Sequence, residues 1–265
     1  MQIYPLFMHI VKQKYTLLML GAACLVGLLT ACKPSSESAE HTLTMGTSAD
    51  YPPFEFQHQG EIQGFDIDVA KAITQELGYK LRIQDMDFSG IIPALKSGRI
   101  DFAMASITAT PERSQSVDFS TSYFSPRFAV VSPKKAPIKN LEDLANKKIG
   151  VQLGSTMESF IKEEAQELPG ITIVALGRNP QLIQELKVGR LDGVILEDMQ
   201  AQAFTKKNPS LETAILPQGE FGFSIAFAKD SPLQEPFNKA IKSLKASGKL
   251  QELQEQWLHI DDDDA

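Results

Sequence analysis

The chain has 265 residues, 43% of them hydrophobic and 22% charged, with a formal net charge of -7. That is the composition of a folded protein with length for one large domain or two modest ones. The acidic balance argues against a nucleic-acid partner, because basic residues gather only in short pairs such as Lys134-Lys135, Lys147-Lys148 and Lys206-Lys207, which read as solvated turns.

The first segment differs from the rest. Lys12 and Lys14 precede an apolar run from Leu17 to Leu29, shorter than the roughly 20 residues that span a membrane, and small residues then lead to Cys32. This pattern predicts an export signal over 1-31, with Met8 as an alternative initiator. The stretch Leu29-Thr30-Ala31-Cys32 resembles a bacterial lipobox, which implies a diacylglycerol on the Cys32 thiol and a protein anchored by lipid at a membrane surface. Cleavage at small residues without lipidation is the other reading. Cys24 lies inside the removed segment, so no cysteine remains for a disulfide or a metal site. His9, His41, His58 and His259 are scattered, so neither a metal centre nor a catalytic histidine is expected, and no cofactor is implied.

A polar tether is predicted over 32-41, and folding should begin near Thr42. Leu43 and Met45 start a strand. Val69, Ala70, Ile73 and Leu77 recur at helical spacing, with Asp66 placed to cap that helix and Gly78 to end it. Leu81 and Ile83 alternate as a strand, Ile91, Ile92 and Leu95 form a helix face that stops at Gly98, and Ile100 to Ala105 reads as a buried strand. The Pro- and Lys-rich stretch from Ser132 to Lys139 opens a second unit, with a helix through Met157, Phe160, Ile161 and Ala165 and a strand from Ile171 to Val174. Phe223 to Ala228 reads as a strand returning to the first unit. Two amphipathic helices come next, carrying Leu233, Phe237, Ile241 and Leu244, then Leu250, Leu253 and Trp257.

Alternating strands and helices predict an α/β chain of βαβ units. Within it, Leu95-Lys96-Ser97-Gly98-Arg99-Ile100-Asp101 is nearly repeated as Leu186-Lys187-Val188-Gly189-Arg190-Leu191-Asp192. Each copy ends a helix at glycine and enters an apolar strand. This is either a common helix-stop-strand idiom or the mark of two similar lobes. On the second reading, lobe 1 comprises 42-125 and 221-260, lobe 2 comprises 126-220, and 261-265 is a solvated acidic tail.

Ligands of open α/β sheets sit beyond the carboxyl ends of strands, so the residues just after the two repeated strands are the first candidates for a site. After the first strand come Ser106-Ile107-Thr108-Ala109-Thr110-Pro111-Glu112-Arg113, with hydroxyls, backbone donors and a guanidinium suited to holding a carboxylate bidentately. After the second come Glu197-Asp198, which suit an ammonium group. A zwitterion bound across a cleft satisfies both.

At these residues the chain resembles the polar amino-acid-binding proteins of ABC importers, the bacterial extracellular solute-binding proteins of family 3. The resemblance covers almost all of Thr42 to Leu258 and includes Tyr51-Pro52-Pro53-Phe54-Glu55, Gly64-Phe65-Asp66-Ile67-Asp68, Asp87-Phe88-Ser89-Gly90, Ser106 to Arg113, Gly154-Ser155-Thr156 and Gly189-Arg190-Leu191-Asp192. Each motif is weak, but their order is specific. The resemblance implies a two-lobed periplasmic-binding-protein fold, each lobe a mixed sheet flanked by helices, with the ligand cleft between. It implies that Arg113, Thr108 and Ser106 hold the α-carboxylate with Thr156 from the other lobe, and that Tyr51 and Phe88 flank the ligand side chain. The family's ammonium acceptor is an aspartate, and Glu197 matches it with one methylene more; Asp198 takes the role if the alignment shifts by one residue.

The implied partners are a free amino acid, an importer permease and, through the lipid, a membrane facing the periplasm or cell exterior. Arginine is favoured by Tyr51 and Phe88 as a sandwich for a guanidinium, by Glu55 and Asp66 nearby, and by Gln152 with Glu197, a combination resembling some arginine-binding members. Glutamine is the runner-up; members binding basic amino acids or glutamine commonly carry aspartate where this chain has Ser48.

Plainer readings stand beside these: Arg113 as a surface ion pair, Tyr51 as loop packing, Phe88 as a core aromatic, Glu197 as a helix cap. An enzyme on the same scaffold, resembling dehydratases of prephenate or arogenate, is the rival function; their catalytic glutamate aligns with Gln200, which has no acidic proton to donate. A sensory module is disfavoured because no kinase or transglycosylase segment follows Trp257 before Ala265.

Overall fold

The computed structural model describes residues 41-217 and 222-258. The expected signal at 1-31, Cys32 and the tether up to residue 40, the return crossing at Glu220-Phe221 and the tail 261-265 lie outside the described residues.

The alternation at Leu43 and Met45 forms β1 (Thr42–Thr47). A small antiparallel sheet comes next, made of β2 (Asp50–Tyr51), β3 (Glu55–His58) and β4 (Glu61–Gln63). After it the chain forms α1 (Phe65–Glu76), β5 (Lys80–Asp85), a one-turn 3-10 helix at Phe88–Gly90, α2 (Ile91–Lys96), β6 (Phe102–Ala103), α3 (Pro111–Ser114) and β7 (Val117–Phe119). It then builds β8 (Phe128–Pro133), β9 (Lys148–Gln152), α4 (Thr156–Glu167), β10 (Thr172–Leu176), α5 (Asn179–Lys187), β11 (Gly193–Glu197), α6 (Asp198–Lys207) and β12 (Leu211–Ile215). It closes with β13 (Ala226–Ala228), α7 (Gln234–Ala246) and α8 (Lys249–Leu258).

Two five-stranded mixed sheets result, in the orders β5-β1-β6-β13-β7 and β10-β9-β11-β8-β12. In each, three parallel strands are followed by two that run against their neighbours. The fourth place is taken in both cases by a strand that enters the lobe from the other one, β13 in the first sheet and β8 in the second. Each lobe is therefore completed by the crossing chain.

The near-repeat proves structural. Gly98 and Gly189 both adopt left-handed φ, 68° and 76°, the backbone that ends a helix most cheaply at glycine. Asp101 and Asp192 then make the same pair of bonds: each carboxylate accepts a backbone N–H of a parallel strand in its sheet, Thr44 of β1 at 2.7 Å and Lys148 of β9 at 2.8 Å. Each Asp N–H returns a bond to the carbonyl of that same residue.

Helix periodicity is expressed as packing. In α7, Phe237, Ala240, Ile241 and Leu244 are buried, and the Phe237 ring lies 4.9 Å from Phe102 and 5.3 Å from Phe227. Burying a side chain of that size contributes about 2-3 kcal/mol.

Some sequence expectations are corrected. Asp66 does not cap α1: the N-cap is Gly64, with no side-chain cap bond, and the Asp66 carboxylate points into the lobe. The buried run 100-105 is paired as strand only at Phe102–Ala103. The stretch 132-139 does not open the second sheet, because β8 already begins at Phe128 and ends at Pro133.

Candidate functional site

Thr110-Pro111 starts α3 in the manner its chemistry favours, with proline at the first helical position and the Thr110 hydroxyl accepting the Arg113 N–H at 3.2 Å. That short turn aims the Arg113 side chain at the cleft. Its Nη1 donates to the Thr108 carbonyl at 2.8 Å, and its Nη2 reaches across to the Gly154 carbonyl of the second lobe at 2.9 Å. The guanidinium stands 5.3 Å from the centre of the Phe88 ring. Burial lowers its pKa to about 10, so it is charged at neutral pH. Its hydrogen-bond partners are carbonyls, and the nearby Glu112 carboxylate favours its charged form against the burial.

Around it, Thr108 is buried, and its Oγ1 has no hydrogen-bond partner among the described residues. From the opposite side, Ser155 caps α4 by accepting the Glu158 N–H at 3.2 Å, leaving Thr156 as the first helical residue. A cavity of about 720 Å³ is lined by Thr110, Arg113, Gly154 and Thr156 from the two lobes. The Arg113 guanidinium and the start of a twelve-residue helix meet there, groups that suit a carboxylate, although Glu112 and Glu158 also line the cavity and Glu158 Oε2 accepts the Gly154 N–H at 2.6 Å.

Ser106 is placed differently. Its hydroxyl donates to Glu55 Oε2 at 3.2 Å and its N–H to Asp66 Oδ2 at 2.9 Å. Both of its donors are therefore used inside the first lobe. The same bonds remove Glu55 and Asp66 from the acceptors facing a ligand side chain.

At the end of β11, Glu197 is 2% exposed, and its Oε2 has no hydrogen-bond partner among the described residues. It occupies the N-cap position of α6 without making a side-chain cap bond. Burial pushes its carboxyl up to about 8, with its own backbone N–H pulling down and the neighbouring Asp198 pushing further up. Asp198 is occupied instead: Oδ1 accepts the Met199 N–H at 2.9 Å and Oδ2 pairs with Arg127 Nε at 3.0 Å. Gln200 is fully buried, with both amide atoms unpartnered among the described residues.

A third group joins the lobes beside Tyr51, which is buried with an unpartnered hydroxyl among the described residues. Gln152 ends β9 opposite Leu176 of β10, just before the Gly177-Arg178-Asn179 turn in that strand's continuation, and its side chain is buried with Nε2 unpartnered among the described residues. Asn179 is 0% exposed, and neither amide atom has a partner among the described residues. Its backbone N–H bonds the Asp50 carboxylate, whose pKa burial raises to about 6 while Arg178 opposes the rise. Arg178 spans the lobes: Nε lies 2.8 Å from Asp87 and 3.9 Å from Asp50, and Nη1 lies 3.1 Å from Asp85. Asp50, Arg178 and Asn179 escaped the sequence reading because no local pattern marks them; only the approach of the lobes brings them together.

The chain matches the family model of the bacterial extracellular solute-binding proteins, family 3, over residues 43–260. It is 43% identical over 250 residues to the arginine-binding extracellular protein ArtP of Bacillus subtilis (strain 168), covering 92% of this chain and 98% of that one. Among solved structures, an ancestral arginine-binding protein bound to arginine superposes with a TM-score of 0.78 at 43% identity, over 82% of this chain and 97% of that one. An ancestral arginine-binding protein bound to glutamine gives 0.78 at 42% identity, over the same shares.

Proposed function

Because this chain belongs to family 3 of the bacterial extracellular solute-binding proteins, we propose that it is the binding component of an ABC importer, capturing a free L-amino acid between its lobes, with arginine as the preferred ligand. The observation that carries this reading is the presence, on different lobes, of a guanidinium whose hydrogen-bond partners are carbonyls, Arg113, and a buried carboxyl with a free oxygen, Glu197. An α-carboxylate and an α-ammonium fit that pair, and both bind at once only when the cleft is closed. Thr108 and Thr156 complete the carboxylate clamp, and Ser106 shapes its turn. Tyr51 and Phe88 flank the ligand side chain, while Asp50, Asn179 and Gln152 are the polar groups near its end. Glutamine is second, since the amides suit it and an ancestral arginine-binding protein was solved with it.

A thermal-shift screen of the twenty amino acids tests the proposal, with the largest stabilisation expected from L-arginine and none from analogues lacking the α-carboxylate. Absence of any shift would defeat it. Lobe 1 comprises 42-125 and 221-260 and lobe 2 comprises 126-220 in this reading, with closure about the two crossings.

Catalysis is not part of the proposal: Gln200 supplies no acid where the resembling dehydratases carry glutamate, and incubation with prephenate or arogenate should yield no product.

Export and anchoring belong to the same reading. The segment 1-31 is the signal peptide and Cys32 the lipidated residue, which keeps the protein at a membrane facing the periplasm or cell exterior, beside its permease. Metabolic labelling with a lipid precursor should mark the wild type and leave Cys32→Ala unmarked; a labelled Cys32→Ala protein would refute the lipobox.

The Arg178 clasp should favour the closed form over the open one. Its partners are partly exposed, so its strength is modest, about 1 kcal/mol, and salt-sensitive. Arg178→Ala is expected to weaken L-arginine binding roughly three- to tenfold and to flatten its dependence on NaCl in titration calorimetry. Unchanged affinity and salt dependence would mean that the clasp forms equally in both states.

A further inference from the structure

The turn after β6 places a serine where serine is costly. Ser106 has φ of 50°, a left-handed backbone that costs a non-glycine residue about 1 kcal/mol or more. Behind it lie two carboxyls, Glu55 from β3 and Asp66 from α1, 1% and 0% exposed. Asp66 Oδ2 accepts the Ser106 N–H at 2.9 Å and the Tyr123 hydroxyl at 2.8 Å, and Glu55 Oε2 accepts the Ser106 hydroxyl at 3.2 Å. The two carboxyls are themselves hydrogen-bonding neighbours. Asp66 Oδ1 is buried and receives no N–H or hydroxyl donor among the described residues. Two adjacent carboxylates without a cation do not both ionise in such a place.

We propose that Glu55 and Asp66 form a buried pair sharing one proton, held on Glu55 and donated to Asp66, and that the pair is the positioning device that locks the Ser106 turn of the carboxylate clamp. The proton satisfies Asp66 Oδ1, and the single remaining charge is spread over three donors, from Ser106, Tyr123 and Glu55. Glu55 in its neutral form still offers an oxygen to the Ser106 hydroxyl. Burial, with the Asp66 charge beside it, holds Glu55 well above the usual carboxylate range, in the direction this requires. The strained turn is thereby fixed at both its amide and its side chain, and Thr108 and Arg113 come within the next seven residues. The Gly64-Phe65-Asp66 and Phe54-Glu55 motifs accordingly serve the site from behind, without touching ligand. This rests on reading Ser106 to Arg113 as the clamp.

The test uses two substitutions at Glu55 and a readout that needs no ligand. Glu55→Gln retains a donor for Asp66 and an oxygen for Ser106, so L-arginine affinity should stay within about threefold of wild type. Glu55→Leu keeps the bulk and loses both bonds, and should bind at least about tenfold more weakly while unfolding cooperatively. Infrared spectra in the Glu197→Gln background, near neutral pH, should contain a protonated-carboxyl band that disappears when Glu55→Gln is added. Hydrogen exchange at the Ser106 amide should accelerate in Glu55→Leu only. Equal loss in both Glu55 variants, full affinity in Glu55→Leu, or no acid band assignable to Glu55 would overturn the proposal. If the wild type fails to bind L-arginine, the ligand reading fails, and the infrared band and Ser106 exchange still decide whether the pair exists.

Discussion

Arg113→Ala is expected to weaken L-arginine binding by about 3-5 kcal/mol, more than a hundredfold, while the protein still folds. The guanidinium is half-buried, and its partners are the carbonyls of Thr108 and Gly154. Neither neutralises it, so a ligand carboxylate entering the cavity meets a desolvated cation already held in place. Removing the cation strands that carboxylate in a poorly solvated cleft, and the bridge to the second lobe goes with it. Arg113→Lys should recover little, because a single ammonium does not reach a carbonyl on each lobe and the ligand together, as a planar fork does. Titration calorimetry measures the loss, and thermal unfolding checks the fold. Near-unchanged affinity would remove Arg113 from the site.

Glu197 should make binding depend on pH and release a proton. In the protein without ligand its carboxyl is pushed up to about 8, so it is mostly neutral at pH 7. An α-ammonium group favours the ionised form, which lowers that pKa and expels the proton. Affinity therefore rises with pH up to about 8 and levels off above it, with release approaching one proton in the acid part of that window. Titrations in two buffers of different ionisation enthalpy should report this release, and Glu197→Gln should abolish it and weaken binding at least about tenfold. Binding without proton exchange at pH 6.5, roughly midway through the window, would place the ammonium elsewhere. The unliganded fold carries the opposite dependence. A carboxyl raised from about 4.5 to about 8 on folding stabilises the folded state at acid pH, and that contribution is lost as pH rises through the interval. Ligand thus stabilises the protein most where its own fold is weakened by this group.

The sequence proposes these two residues because each lies near the carboxyl end of a predicted strand, and the structure puts Glu197 at the last position of β11. Asp198 against Glu197 was not decided in the sequence, since adjacent carboxylates have the same chemistry on paper. The fold separates them by turning Asp198 to Arg127, 71 residues away in the chain, and leaving Glu197 Oε2 free. Asp66 shows the same limit. Its place at the start of a helix reads as a cap, yet its carboxylate serves Ser106 and Tyr123, 40 and 57 residues on.

Periodicity, caps and glycine stops are local signals, set by hydrogen bonds and side-chain spacing within one or two turns. They suffice for the alternating strands and helices, for the paired stops at Gly98 and Gly189, and for the turn that aims Arg113. Pairing partners and cross-lobe contacts depend on which surfaces meet after the chain has crossed between sheets twice. The insertion of β8 and β13 into fourth place, the Arg178 clasp on Asp85 and Asp87, and the burial of Glu55 against Asp66 all join segments far apart in sequence, where residue spacing carries no information about distance.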